Sequence, residues 1–115
     1  MPQITVTDSE LLVDLSKLEE FASLTKSLSI PRSDITSARI DPEILKHLGF
    51  RAPGTGLPGV IAAGTFYKQG DRQFVYWHKG ETPIVVELTH EKYDRLIIGL
   101  EPATAESVVD QLNAS

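Results

Sequence analysis

Apolar and polar residues alternate along much of the chain, beginning with Ile4 and Val6 against Thr5 and Thr7, then Leu11, Val13 and Leu15 against Asp14. This spacing predicts two antiparallel strands. The Thr7-Asp8-Ser9-Glu10 stretch between them suits a tight turn, because Asp and Ser side chains hydrogen-bond nearby backbone amides. From Ser16 the period changes: Ser16 and Glu19 have capping-box spacing, and Leu18, Phe21 and Ala22 share a helical face. A short helix is expected there. Leu28 and Ile30 alternate with serines up to Pro31, and residues 34–41 form a further strand with Thr36, Ala38 and Ile40 on one face. Asp41-Pro42 starts a helical turn in which Asp41 caps, Ile44, Leu45 and Leu48 are buried, and Gly49 takes the left-handed position past the end.

Residues 49–59 hold two prolines and four glycines, which predicts a loop. Residues 60–67, 73–77, 83–89 and 95–100 then read as four strands of a meander. Residues 102–113 close the chain as an amphipathic helix, capped by Thr104, with Ala105, Val108, Val109 and Leu112 as its apolar stripe. The predicted class is mainly β, an antiparallel barrel or roll of about seven or eight strands capped by one C-terminal helix. A two-layer α+β sheet with the helix on one face is the alternative.

Composition narrows the functional classes. The 115 residues fit one domain, 1–115, and Cys is absent, which removes disulfides and thiol chemistry. A formal net charge of −5 and a pI near 5.1 oppose binding to nucleic acid and to anionic lipid. No apolar run approaches a membrane span and the N-terminus does not read as a signal peptide, so no stable membrane insertion and a cytoplasmic location are expected.

The segments Gly-Phe-Arg-Ala-Pro-Gly-Thr at 49–55 and Ala-Gly-Thr-Phe at 63–66 come before a single terminal helix. With Ser-Ile-Pro at 29–31, Asp71-Arg72-Gln73-Phe74, Val86-Glu87-Leu88 and Lys92-Tyr93-Asp94-Arg95-Leu96, they resemble a bacterial pleckstrin-homology-like family. Some of its members are similar to sublancin-immunity-protein-like domains, which are membrane-associated; this chain has no such membrane segment. The resemblance implies the fold, and no settled ligand or catalytic residue. Pleckstrin-type barrels typically meet phosphoinositides through basic residues of the first hairpin; here that turn is Asp8-Ser9-Glu10, so phosphoinositide binding is not expected.

Gly54-Thr55-Gly56-Leu57-Pro58-Gly59 satisfies G-x-G-x-x-G, yet a helical turn precedes it and a strand follows, the reverse of a dinucleotide site. Arg51 lies near Lys46 and His47, so the loop with Gly54 and Gly56 is a candidate anion or partner site. Among the aromatics, Phe74 and Tyr76 share one face of their strand while Trp77 shares the other with Val75, which makes Trp77 a candidate partner contact. His47, His78 and His90 lack helical metal-site spacing, and no hydrolase motif is present, so no metal, cofactor or catalysis is expected. The sequence predicts a non-catalytic binding or self-assembly module acting on a protein partner or a second copy. The alternative is a small-ligand or anion carrier using the 49–59 loop.

Overall fold

The computed structural model describes residues 2–23, 26–57 and 60–114, with side chains at all of them except 21, 22 and 50–57. Strands β1 (Gln3–Val6), β2 (Glu10–Asp14) and β3 (Leu28–Pro31) form an antiparallel sheet in that order. Helix α1 (Lys17–Ser23) lies between β2 and β3. The larger sheet comprises β4 (Ile35–Ile40), β5 (Phe50–Leu57), β6 (Ile61–Lys68), β7 (Asp71–His78), β8 (Thr82–Leu88) and β9 (Arg95–Leu100), ordered β4-β8-β9-β7-β6-β5. Helix α2 (Pro102–Asn113) follows.

Local sequence signals explain several of these elements. In the first turn the Thr7 hydroxyl accepts the amides of Ser9 and Glu10 at 3.3 and 3.0 Å, the task expected of Asp8 and Ser9. The α1 capping box is reciprocal: the Ser16 amide donates to Glu19 Oε1 at 2.8 Å and the Glu19 amide to Ser16 Oγ at 3.2 Å. Leu18 departs from the expected buried face and is 76% exposed, whereas Glu19 is buried by its cap; the Phe21 and Ala22 side chains lie outside the described residues. Asp41 does not cap the 3-10 turn Pro42–Lys46, because its carboxylate instead accepts from Arg39 Nε at 3.3 Å. Thr104 is likewise not the cap of α2; Glu101 holds that position and Pro102 supplies the preset φ of the first turn.

Three larger expectations need correction. The 49–59 loop is β5 up to Leu57: the strand runs at the sheet edge, where Pro53 falls in a bulge between Arg51 and Gly54 and its missing N–H costs no central ladder bond. Positions 58 and 59 lie outside the described residues. The four later strands are not a meander, since β9 enters between β7 and β8, parallel to β7 and antiparallel to β8. Its run Leu96-Ile97-Ile98 is fully buried, and a strand apolar on both faces gains most from a central place. Finally, the two sheets remain separate among the described residues rather than closing into an all-antiparallel barrel. Pro31 ends β3, and the turn Arg32–Asp34 carries the chain from one sheet to the other.

The main core lies between the sheets and α2. Leu11, Val13, Leu15 and Ile30 of the small sheet meet Phe74, Tyr76, Ile84, Val86, Leu96 and Ile98 of the large one, with Ala105 and Val108 from the helix. Val109 and Leu112 pack against this core, completing the expected stripe. The opposite face of the large sheet carries a second cluster, Ala62, Phe66, Val75, Val85 and Ile97, against which Ile44 and Leu48 pack.

Helix α2 also covers an exposed sheet edge. Asn113 donates to the Ala38 carbonyl at 3.0 Å and accepts the Ala38 amide at 3.3 Å, so one side-chain amide substitutes for a neighbouring strand beside β4. Arg32 fixes the helix end: Nη2 donates to the carbonyls of Gln111 and Ala114 at 2.8 and 2.9 Å, and Nη1 to Thr7 O at 3.3 Å. A cation here meets both unpaired carbonyls and the negative end of the helix dipole. Arg32→Ala is therefore expected to cost about 1–3 kcal/mol, read by urea unfolding, with amide exchange accelerating first over the last turn of α2. Unchanged exchange in that turn would contradict the clamp.

Candidate functional site

The candidates drawn from the sequence share one face of the large sheet by register. Arg51, Gly54 and Gly56 lie opposite Phe66, Gly64 and Ala62 of β6, and Trp77 lies opposite Ala62 from the other side. The Arg51 side chain lies outside the described residues. Lys46, its expected companion, is ion-paired with Glu43 at 3.1 Å, and His47 is exposed.

Trp77 serves the β7–β8 connection. Its indole Nε1 donates to the Glu81 carbonyl at 3.0 Å, and the His78 amide donates to Glu81 Oε1 at 2.9 Å. A Cβ on Gly99 would lie 2.9 Å from Trp77 Cδ1 and also meet Glu81 Oε1, so the bare glycine makes room for both side chains. Burial pushes the Glu81 carboxyl above its ordinary value, and the negative charge of Glu19 acts in the same direction against the His78 hydrogen bond. The folded state thus favours protonated Glu81 relative to the unfolded chain. That contribution is complete below the ordinary carboxylate pKa and is lost as pH rises through the raised one. Glu81→Gln keeps an acceptor for His78 without the charge, so its Tm is expected to exceed the parent's at pH 7.5, with the lead shrinking toward pH 4. A lead independent of pH would contradict this.

On the same face lies a satisfied polar network. Arg95 Nε donates to Glu87 Oε1 at 3.1 Å, Nη1 to Gln73 Oε1 at 2.8 Å and Nη2 to Asp71 Oδ2 at 3.1 Å. Gln73 passes its own amide to Leu48 O at 2.9 Å, and Arg39 Nη1 donates to Glu87 Oε2 at 2.9 Å. These groups tie the 41–49 segment across the sheet and leave Arg95 without a spare nitrogen.

Arg72, on the other face, is different. Of the four arginines whose side chains are described, Arg32, Arg39 and Arg95 meet oxygen acceptors, whereas the Arg72 guanidinium meets none among the described residues. Its Nε is enclosed without a partner, an arrangement that native proteins rarely keep. The guanidinium carbon instead sits 6.0 Å from the Tyr67 ring centre and 5.5 Å from that of Tyr93, within cation–π range of both. Lys92 Nζ approaches the Tyr93 ring at 5.7 Å. Tyr93 is buried and tilted against Phe74 at 5.8 Å, while Tyr67 is 42% exposed and Lys92 faces solvent.

Two local devices build this corner. Gln69 and Gly70 both have positive φ, 51° and 88°, as a two-residue type I′ hairpin turn requires, and this places Tyr67 directly opposite Arg72. Asp94 then anchors the 89–94 segment to the start of β7: its amide donates to Arg72 O, and its Oδ2 accepts the Arg72 amide, each at 2.7 Å. That oxygen is committed to backbone, and no ion pair between Asp94 and the Arg72 guanidinium occurs among the described residues.

The sequence did not single out Arg72, because a lone arginine at a strand start reads as solvated charge. One signal was present: Arg72 has the parity of Phe74 and Tyr76, which places a cation in line with the buried face.

No group of three or more metal-ligating side chains occurs among the described residues, and no described helix is long and apolar enough to cross a membrane. No protein-family model, curated protein or solved structure matches the chain.

Proposed function

We propose that this protein is a non-catalytic binding module that recognises another protein through the corner formed by Tyr67, Arg72 and Lys92. The observation that carries this reading is the Arg72 guanidinium, in cation–π range of two tyrosine rings and with no acceptor among the described residues. Arginine and tyrosine dominate the residues that supply most of the free energy at protein interfaces. A guanidinium already oriented by rings loses little further freedom on binding. The half-exposed Tyr67 ring adds flat apolar area beside it. The scaffold belongs to the same proposal: two packed sheets with a C-terminal helix support a pleckstrin-homology-like reading, from which the parallel β7–β9 pair departs.

The test is affinity capture with the full chain and with Tyr67→Ala in parallel, followed by native mass spectrometry of what is retained. A protein, or a second copy, held in fixed stoichiometry by the parent and lost by Tyr67→Ala at unchanged Tm supports the reading. Equal capture by both, or a reproducible small-molecule adduct as the only retained mass, contradicts it.

A further inference from the structure

We infer that the group read by this corner is a carboxylate, presented by an acidic side chain of the partner protein. The inference rests on the corner's being the recognition surface. Its basis is the direction in which the guanidinium is free. Nε is enclosed, while the two terminal nitrogens are neither enclosed nor bonded to any described acceptor, so Arg72 offers its outer fork. The ring centres of Tyr67 and Tyr93 lie 6.0 and 5.5 Å from the carbon of that fork and hold it in cation–π contact. A planar fork pairs with a planar two-oxygen acceptor through parallel N–H···O bonds, and Lys92 beside Tyr93 adds a second positive charge.

Charge separates carboxylate from phosphate. The chain carries a net −5, Asp94 Oδ2 lies 2.7 Å from the Arg72 amide, and Asp71 belongs to the same hairpin. At the fork itself these negative groups oppose a dianion about twice as strongly as a single carboxylate, whereas the further carboxylates of an acidic chain lie farther out, where salt screens them. Exposure separates a protein-borne carboxylate from a free acid. An ion pair at an open surface is worth little by itself. The carboxylate must therefore arrive on a body large enough to cover Tyr67 and exclude water from the pair.

The experiment is an NMR titration of the ¹⁵N-labelled full chain at constant ionic strength, following the Arg72 Nε–Hε signal and the Lys92 amide. The probes are a tetraglutamate peptide, its tetraglutamine counterpart, acetate and inorganic phosphate. Tetraglutamate is expected to shift both signals, tetraglutamine to leave them in place, and Arg72→Gln to weaken binding by about tenfold or more. Arg72→Lys, which keeps the charge and loses the fork, is expected to weaken it comparably. Phosphate binding at least as tightly as tetraglutamate would overturn the carboxylate assignment and leave the corner as a recognition surface. Acetate binding as tightly as tetraglutamate would overturn the protein-borne source. No shift with any probe would overturn the carboxylate assignment, while the capture by Tyr67 decides the broader reading separately. Tetraglutamate shifts that survive Arg72→Gln would overturn the assignment of the carboxylate to the Arg72 fork.

Discussion

Phe74→Ala is expected to lower the unfolding free energy by about 3–5 kcal/mol, the range for removing a fully buried aromatic ring. Phe74 has no solvent exposure and sits in the cluster where the two sheets and α2 meet. Its loss removes the transfer free energy of the ring and leaves a cavity that β7, paired on both sides, is poorly placed to fill by moving. A small domain has about 5–15 kcal/mol in total, so a large part of the margin goes. Urea unfolding followed by the single tryptophan, Trp77, reads the effect as a lower midpoint with an unchanged slope. Because the ring also supports Tyr93 at 5.8 Å, the Arg72 corner is expected to loosen before the fold is lost. A change below about 1 kcal/mol would mean that the main core does not pass through this position.

Gly49→Ala is expected to cost about 2–4 kcal/mol, although the position is exposed and carries no side chain of its own. Two effects add. Its φ of +83° lies in the left-handed region, where a Cβ costs about 1–2 kcal/mol. That Cβ would also collide with the Tyr67 carbonyl oxygen and lie 2.8 Å from Lys68 Cβ. The collision is with the backbone of β6, which has no side-chain rotation with which to yield. Relief requires the 41–49 segment to withdraw, releasing Ile44 and Leu48 from the second core. It also displaces Tyr67, so weaker partner binding should accompany the fall in midpoint. As a control, Gly70→Ala has a similar φ of +88° and open space around it, and it should show the strain without the collision, about half the loss. Equal losses at both positions would remove the collision from the argument.

The parts of this fold that the sequence disclosed are those decided within a few residues. The Ser16–Glu19 box and the left-handed Gly49 each follow from about one turn of chain, and the α2 stripe from little more than two. The parts it concealed depend on neighbours distant in sequence. β5 reads as a loop because Pro53 and its glycines argue against a central strand, and only its edge position and bulge reconcile them with pairing. β9 reads as the last strand of a meander because chain order suggests antiparallel neighbours, whereas burial on both faces places it between β7 and β8. The candidate site was hidden for a related reason. Arg72 gains its meaning from Tyr67 across a hairpin and Tyr93 in the segment before β9, and from the Asp94 oxygen committed to backbone. Trp77, which the sequence did raise, is engaged with Glu81 and lies over Gly99.

The central claim, that the Arg72 fork recognises a partner without serving the fold, is tested most directly by Arg72→Gln measured in two ways on one preparation. The two are the binding isotherm for the protein captured by the parent chain and the thermal melt. The prediction is a dissociation constant raised by about tenfold or more, with Tm lowered by no more than about 8 °C, because the guanidinium makes no hydrogen bond or ion pair among the described residues and the fold loses only its two ring contacts. An unchanged isotherm would contradict it, and so would weaker binding accompanied by a matching collapse in Tm, which would make Arg72 a structural residue.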